Sequence, residues 1–240
     1  KCYSKAIILK SKTGILYLVS TPIGNLGDMT FRAVEILKNV ELVAAEDTRH
    51  SKKLFNHYLI KTPLLSYFEH NRNLRIPRLL DHLNKGDNIA LITDAGTPAI
   101  SDPAYKLVRE VIRANIKVEP IPGASAVLSS LVASGLPTDR FIFEGFLPLK
   151  KGRIKRIESM IIETGTIIIY ESPKRLLRTL KHLNEVLGNR PAVVAREITK
   201  LHEEFIRGTL PELYEYYSKK TPKGECVILI GKSDENVYFN

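Results

Sequence analysis

Short apolar runs recur along the chain: Leu16-Tyr17-Leu18-Val19, Leu42-Val43-Ala44-Ala45, Ile89-Ala90-Leu91-Ile92, Phe141-Ile142-Phe143, Ile167-Ile168-Ile169, Ala192-Val193-Val194-Ala195 and Val227-Ile228-Leu229-Ile230. Unbroken runs of this length predict strands buried on both faces. Between them the apolar positions take helical spacing. Ala104, Leu107, Val108, Val111 and Ile112 share one helix face, with Asp102 placed to cap that helix and Pro103 at its first position. Ser172-Pro173 stands in the same relation to Leu176, Leu177, Leu180 and Leu183, while Gly86 and Gly135 sit where helices should stop. Strands alternating with helices predict an α/β fold of two α/β domains, with mostly parallel sheets and an interdomain cleft that holds the ligand. The boundary is expected near Gly135-Leu136-Pro137-Thr138, giving domains 1–137 and 138–240. No period of 20 to 50 residues suggests a solenoid.

The 240 residues are 44% hydrophobic, enough for a real core, so disordered and fibrous classes drop out. Lys plus Arg number 36 against 26 Asp plus Glu, and this +10 surplus favours a polyanionic partner. Cys2 and Cys226 stand at opposite ends, giving neither a disulfide framework nor a CxxC metal spacing, and are expected as reduced thiols in a cytosol. No apolar run approaches the roughly 20 residues of a membrane span, and Ala6-Ile7-Ile8-Leu9 lacks a signal peptide's length and cleavage pattern. The histidines show no HExxH spacing and no serine has a GxSxG context, which disfavours metal and covalent-nucleophile chemistry.

Candidate chemistry collects where strands end. The first run leads into Ser20-Thr21-Pro22-Ile23-Gly24-Asn25-Leu26-Gly27-Asp28, whose glycines permit close backbone approach to a ligand or simply make a strand-to-helix turn. It is neither a GxGxxG fingerprint nor a phosphate-binding P-loop. Thr93-Asp94-Ala95-Gly96-Thr97-Pro98 and Pro120-Ile121-Pro122-Gly123-Ala124-Ser125-Ala126 hold equivalent positions, and the three loops should converge on one sheet edge. The former offers peptide groups and small hydroxyls, suited to an uncharged ring or an amino acid moiety more than to a triphosphate. Ala45-Glu46-Asp47-Thr48-Arg49 brings Glu46, Asp47 and Arg49 to that edge, with Asp47 or Thr48 as helix cap the alternative. In the second half Tyr170-Glu171-Ser172-Pro173 and Ala195-Arg196-Glu197 are the counterparts, and Glu197 could equally pair with Arg196 or Lys200. Two basic clusters, Lys150, Lys151, Arg153, Lys155 and Arg156, then Lys174, Arg175, Arg178 and Lys181, read as phosphate-tracking surfaces or as solvated helix faces.

Taken in order, these seven segments, with Phe146-Leu147-Pro148 among them, resemble the bacterial 16S ribosomal RNA (cytidine-2′-O)-methyltransferases of the tetrapyrrole methylase superfamily, over residues 15 to 231. Residues 1–14 and 232–240 lie outside the likeness, and Glu235 to Asn240 read as a tail. The resemblance implies a homodimer of two-domain α/β chains that binds S-adenosyl-L-methionine. By position it assigns the cofactor to Asp94, Gly96, Thr97, Pro98 and Ile100, to Ser125 and Ala126, and to Tyr170, Ala195, Lys223 and Gly224, with Pro22 and Gly24 facing the reacting centre. Where tetrapyrrole relatives carry a Gly-Asp-Pro triplet, this chain has Gly96-Thr97-Pro98, without that carboxylate. The implied partner is 16S ribosomal RNA, free or in the small subunit.

Methyl transfer from a sulfonium is an in-line displacement that depends chiefly on alignment, worth roughly 7–11 kcal/mol of barrier. A base taking the 2′-hydroxyl proton would add roughly 10²–10⁴-fold. Asp47, Glu46 and Glu197 are the candidates, while Arg49 would hold a phosphate. A related methylase acting on a tetrapyrrole or other small acceptor, and a non-catalytic RNA-binding factor, are the competing readings.

Overall fold

The computed structural model describes residues 13–101 and 104–239, so Cys2 and the expected Asp102-Pro103 cap lie outside the described residues. Two compact units divide the described residues: 13–22 with Leu26–Ala124, and Ile23–Asn25 with 125–239.

In the first unit the strands are β1 (Ile15–Val19), β2 (Leu42–Ala45), β3 (Leu64–Ser66), β4 (Ile89–Ile92) and β5 (Lys117–Ile121). They form one sheet in the order β3-β2-β4-β1-β5, and every pairing in it is parallel. Helices α1 (Phe31–Asn39) and α2 (Thr48–His57) follow β1 and β2; α3 (Arg72–Asn84) and α4 (Ala104–Arg113) follow β3 and β4. Because successive strand residues point to opposite faces, Leu42 and Ala44 pack with Leu79, Leu83, Leu107 and Val111, whereas Val43 and Ala45 pack with Ala33, Leu37, Leu54 and Phe55. Thus α1 and α2 cover one face and α3 and α4 the other. That division is what right-handed crossovers produce when the first two connections run one way along the sheet and the next two return.

The second unit opens with α5 (Ala126–Ser134), followed by β6 (Phe141–Phe146), α6 (Arg153–Glu158), β7 (Thr166–Glu171), α7 (Pro173–Leu187), β8 (Pro191–Arg196), β9 (Glu204–Thr209), α8 (Leu210–Ser218) and β10 (Cys226–Ile230). Its sheet runs β6-β7-β10-β8-β9. Here the expectation of mostly parallel strands needs correcting: only β6 and β7 are parallel, and the pairings of β10 with β7 and β8, and of β8 with β9, are antiparallel. The short 197–203 connection lets β9 fold straight back on β8, which a parallel pairing would not allow. Leu176, Leu180, Leu183, Leu210 and Leu213 cover one face with Ile157 and Met160.

Helix α5 packs on β10 and β8 and so belongs to the second unit, whereas the sequence pattern places the boundary after this helix. Gly135 ends the helix at φ +84°, the left-handed value that favours glycine. The terminal segment is built into this unit instead of trailing from it: Val237 is buried, Tyr238 Oη donates to the Asn189 carbonyl, and Phe239 lies against Gly135. No helix among the described residues is long and apolar enough to cross a membrane.

Candidate functional site

In the first sheet the chain leaves β1 toward β2 on one side and leaves β4 toward β5 on the other, so the carboxyl ends of the adjacent strands β1 and β4 form a topological switch point. The connections from these two strands lead to helices on opposite faces, and such a point is the usual ligand position in open parallel sheets. The three glycine- and proline-bearing loops do meet at this edge. Thr21 N donates to the Gly96 carbonyl at 2.9 Å and Gly96 N to the Thr21 carbonyl at 3.0 Å. Thr21 Oγ1 also donates to the Thr93 carbonyl at 3.1 Å, Ser20 Oγ to Thr97 Oγ1 at 3.3 Å, and Thr97 Oγ1 to the Ala124 carbonyl at 3.3 Å. A β-carbon on Gly123 would fall 2.9 Å from Ser20 Cβ, so the third loop is seated as closely as glycine permits. Gly96 has φ +82°, and beyond it Ala99 and Ser101 hold φ of +70° and +60°, conformations unfavourable for residues with a side chain. Left-handed non-glycine residues cluster where a loop is shaped for a ligand. Pro98 is buried beneath this loop and Ile100 is exposed on it. The donor set is peptide groups and small hydroxyls, which fits a nucleoside and an amino acid moiety and offers no cation for a phosphate chain.

Around β2 the acidic residues are tied to the same edge. Asp94 Oδ1 accepts from Asp47 N at 3.1 Å, and Thr93 Oγ1 donates to Glu46 Oε2 at 2.9 Å. Asp47 caps α2 through Arg49 N at 2.8 Å and binds the Arg49 guanidinium through both oxygens, at 3.2 Å to Nε and 2.8 Å to Nη2. These Arg49 contacts, side chain first, bring its carboxyl down to about 2. Such a group is ionised at neutral pH and correspondingly weak as a base.

In the second unit Glu197, at φ +52°, accepts from Lys200 Nζ at 2.8 Å and from Glu225 N at 3.0 Å. Burial opposes its charge, but Lys200 and the Glu225 N–H outweigh that and hold the carboxyl below the usual range. Gly224, φ +85°, admits this carboxylate: a β-carbon there would lie 2.1 Å from Glu197 Cδ. Lys200 also covers Gly24, where a β-carbon would meet its Cγ at 2.4 Å. The side chain of Lys200, read from sequence only as a pairing option, is thus a principal contact of both Glu197 and Gly24. Ser125 caps α5 through Leu128 N, and Ala126 begins that helix. Tyr170 stacks edge-on with Phe143 and Phe146, and burial pushes its phenol up to about 12. Ala195 is enclosed between β10 and β9, and the Lys223 carbonyl accepts from Arg196 Nη1 at 3.2 Å.

The basic clusters are less uniform than their spacing suggests. Lys151, Lys155 and Lys174 are exposed. Arg153, expected on a phosphate-tracking surface, is instead only 3% exposed and donates to the Pro148 carbonyl, Thr179 Oγ1 and His182 Nδ1. Correcting its placement removes it from any RNA-facing surface, since Ile157 one turn on turns the same helix face to the core. Arg175 pairs with buried Glu171 at 2.6 Å, and Arg156 with Glu144 at 2.6 Å. Nothing in the sequence flags Thr179 as the bridge in this interior network.

Residues 15–214 match the family model of the Tetrapyrrole (Corrin/Porphyrin) Methylases. The fold agrees: a cobalt precorrin-4 methyltransferase of cobalamin biosynthesis superposes with a TM-score of 0.69 at 18% identity, covering 94% of this chain and 98% of that one. A diphthine synthase reaches 0.73 at 13% identity, over 93% and 92% of the two chains. A uroporphyrin-III C-methyltransferase from Thermus thermophilus, complexed with S-adenyl homocysteine, gives 0.64 at 20%, over 91% and 98%. The chain belongs to the tetrapyrrole methylase family. Within it, the chain is 55% identical over 226 residues to the Ribosomal RNA small subunit methyltransferase I of Synechocystis, covering 93% of this chain and 81% of that protein. The Thermotoga maritima protein of the same name is 48% identical over 220 residues, 91% of this chain and 99% of its own length.

Proposed function

We propose that this protein transfers the methyl group of S-adenosyl-L-methionine to the ribose 2′-hydroxyl of a cytidine in 16S ribosomal RNA. The observation that carries the reading is 55% identity along 93% of the chain to a small-subunit ribosomal RNA methyltransferase. The loops at the β1–β4 switch point support it, since their hydroxyl and peptide groups suit the cofactor. When bound, the cofactor supplies an electrophilic sulfonium methyl. Asp94, Gly96, Thr97, Pro98, Ile100 and Pro22 in the first unit, and Gly24, Ser125, Ala126, Tyr170, Ala195, Lys223 and Gly224 in the second, are the residues assigned to hold it.

Of the carboxylates offered as proton acceptor, Asp47 is spent on Arg49, and Glu197 on Lys200 and Glu225 N. Glu46 accepts from Thr93, has no cation paired with it among the described residues, and stands at the same sheet edge as the loops. We therefore assign the 2′-hydroxyl proton to Glu46, with Arg49 on a neighbouring phosphate and Lys151, Lys155, Arg156, Lys174 and Arg175 as further RNA contacts. The protein acts in the cytoplasm as a homodimer on the small ribosomal subunit or its RNA. Incubating it with labelled S-adenosyl-L-methionine and unmethylated small subunits, followed by mass spectrometry of the nucleosides, should yield 2′-O-methylcytidine. Label on a base carbon, or on a small acceptor alone, would overturn this reading.

A further inference from the structure

A groove of about 620 Å³ runs between α3 and α4 on the face of the first unit opposite α1 and α2. One wall carries Asn73, Ile76 and Pro77 from α3; the other carries Tyr105, Lys106 and Arg109 from α4. Helical spacing sets that second wall, because Leu107 and Val111 turn to the core and leave residues 105, 106 and 109 toward solvent. Tyr105 is 55% exposed, an aromatic ring left largely open to solvent on the groove wall. Arg109 Nη1 donates to Tyr105 Oη at 2.8 Å and its guanidinium carbon lies 5.7 Å from the ring centroid, so cation and ring present one joined surface.

Charge narrows the occupant. Glu110 in the groove is already bound to Arg113 at 2.6 Å. Among the described residues no carboxylate pairs with Lys106 or Arg109, so their charge is available to an outside anion. A flat ring beside cations that no carboxylate of the described residues neutralises, in an open furrow, matches a single-stranded nucleotide: an unstacked base has a π-face for the ring and a phosphate for the cations. The α4 wall also begins just past the Thr93–Ser101 loop at the switch point, so a strand lying here leads to the site where the acceptor must be.

We propose that the α3–α4 groove binds a single-stranded stretch of the RNA substrate, with a base on Tyr105 and flanking phosphates on Lys106 and Arg109. This rests on the RNA methyltransferase reading above. The test compares the parent protein with Tyr105→Leu and with the double variant Lys106→Gln, Arg109→Gln, using RNA extracted from unmethylated small subunits and the intact subunits as probes. Thermal melting with and without S-adenosyl-L-methionine first establishes that each variant is folded and binds cofactor. Tyr105→Leu should weaken binding of extracted RNA on the order of tenfold. The double variant should flatten the log–log salt dependence by up to about 1.4, or about 0.7 for each single-strand phosphate released. Unchanged affinity and slope, while the parent still methylates RNA, would overturn the groove and leave the function standing. Loss confined to intact subunits, with extracted RNA bound as before, would mean a protein contact and also overturn it. A parent that methylates only a small acceptor would remove both readings.

Discussion

Arg153 and Glu171 face each other inside the second unit, Nη2 to Oε2 at 3.5 Å, and Thr179 Oγ1 bridges them by donating to Glu171 at 2.6 Å while accepting from Arg153. Burial lowers the Arg153 pKa and Glu171 opposes that loss. A residue from a basic surface run has become an interior strut joining α6 to β7 and α7.

Arg153→Ala should therefore destabilise the protein by about 3–5 kcal/mol, the range for breaking one side of a buried pair. Lys151→Ala should stay within about 0.5 kcal/mol, as exposed substitutions do. Urea unfolding distinguishes the two, and a cost under about 1 kcal/mol for Arg153→Ala would mean the network is replaceable by water. In RNA binding the roles reverse: neutralising Lys151, Lys155 and Arg156 together should flatten the salt slope by up to about 0.7 per single-strand contact.

Asp47→Asn should leave single-turnover methyl transfer within about twofold, because Asn caps a helix about as well as Asp. Glu46→Gln should slow it by roughly 10²–10⁴ if Glu46 takes the proton. Equal, small effects of both variants would exclude either carboxylate as the base. Carbon-detected titration should place Asp47 near 2, below its ordinary 3.8. Because the folded value is depressed, the contribution of this contact to stability is complete above the unfolded value and disappears as pH falls toward 2.

Gly96→Val puts a β-branched side chain at φ +82°, in the segment bonded twice to Thr21. Melting should show a folded protein that S-adenosyl-L-methionine no longer stabilises. Gly224→Ala should cost about 1–2 kcal/mol from its backbone at φ +85° alone, and more because its methyl displaces Glu197. A Gly96→Val variant with parental cofactor affinity would separate this loop from the cofactor.

Cys226 is buried in β10, and burial pushes its thiol up to about 12. It should resist a thiol-specific disulfide reagent at pH 8 until the chain is unfolded. The same shift means stability falls as pH rises from 9 toward 12, since the folded state holds the proton longer. Rapid labelling of the native protein at pH 8 would show that the second sheet opens locally.

The strands buried on both faces were legible because burial on two sides requires an unbroken apolar run, as at Ile89–Ile92 and Val227–Ile230. The edge strands β3 and β9 escaped that reading: Leu64–Ser66 is too short to show a period, and Glu204–Thr209 has only Phe205 and Ile206 between its charged residues. Motif spacing likewise marked the loops after β1 and β4, since a turn that must approach another backbone needs glycine or proline wherever the chain goes next.

What the linear order could not carry was partnership. Whether α5 joins the sheet before it or after it depends on which apolar face has room, and the direction of β9 depends on a short loop. Arg153 and Arg156 share one basic run, yet one is held inside by Thr179 and His182 and the other lies outside with Glu144. Charge and spacing are local properties of the chain. Burial is a property of the surface that the rest of the fold brings against it, so only the tertiary structure could decide which cations remain for RNA.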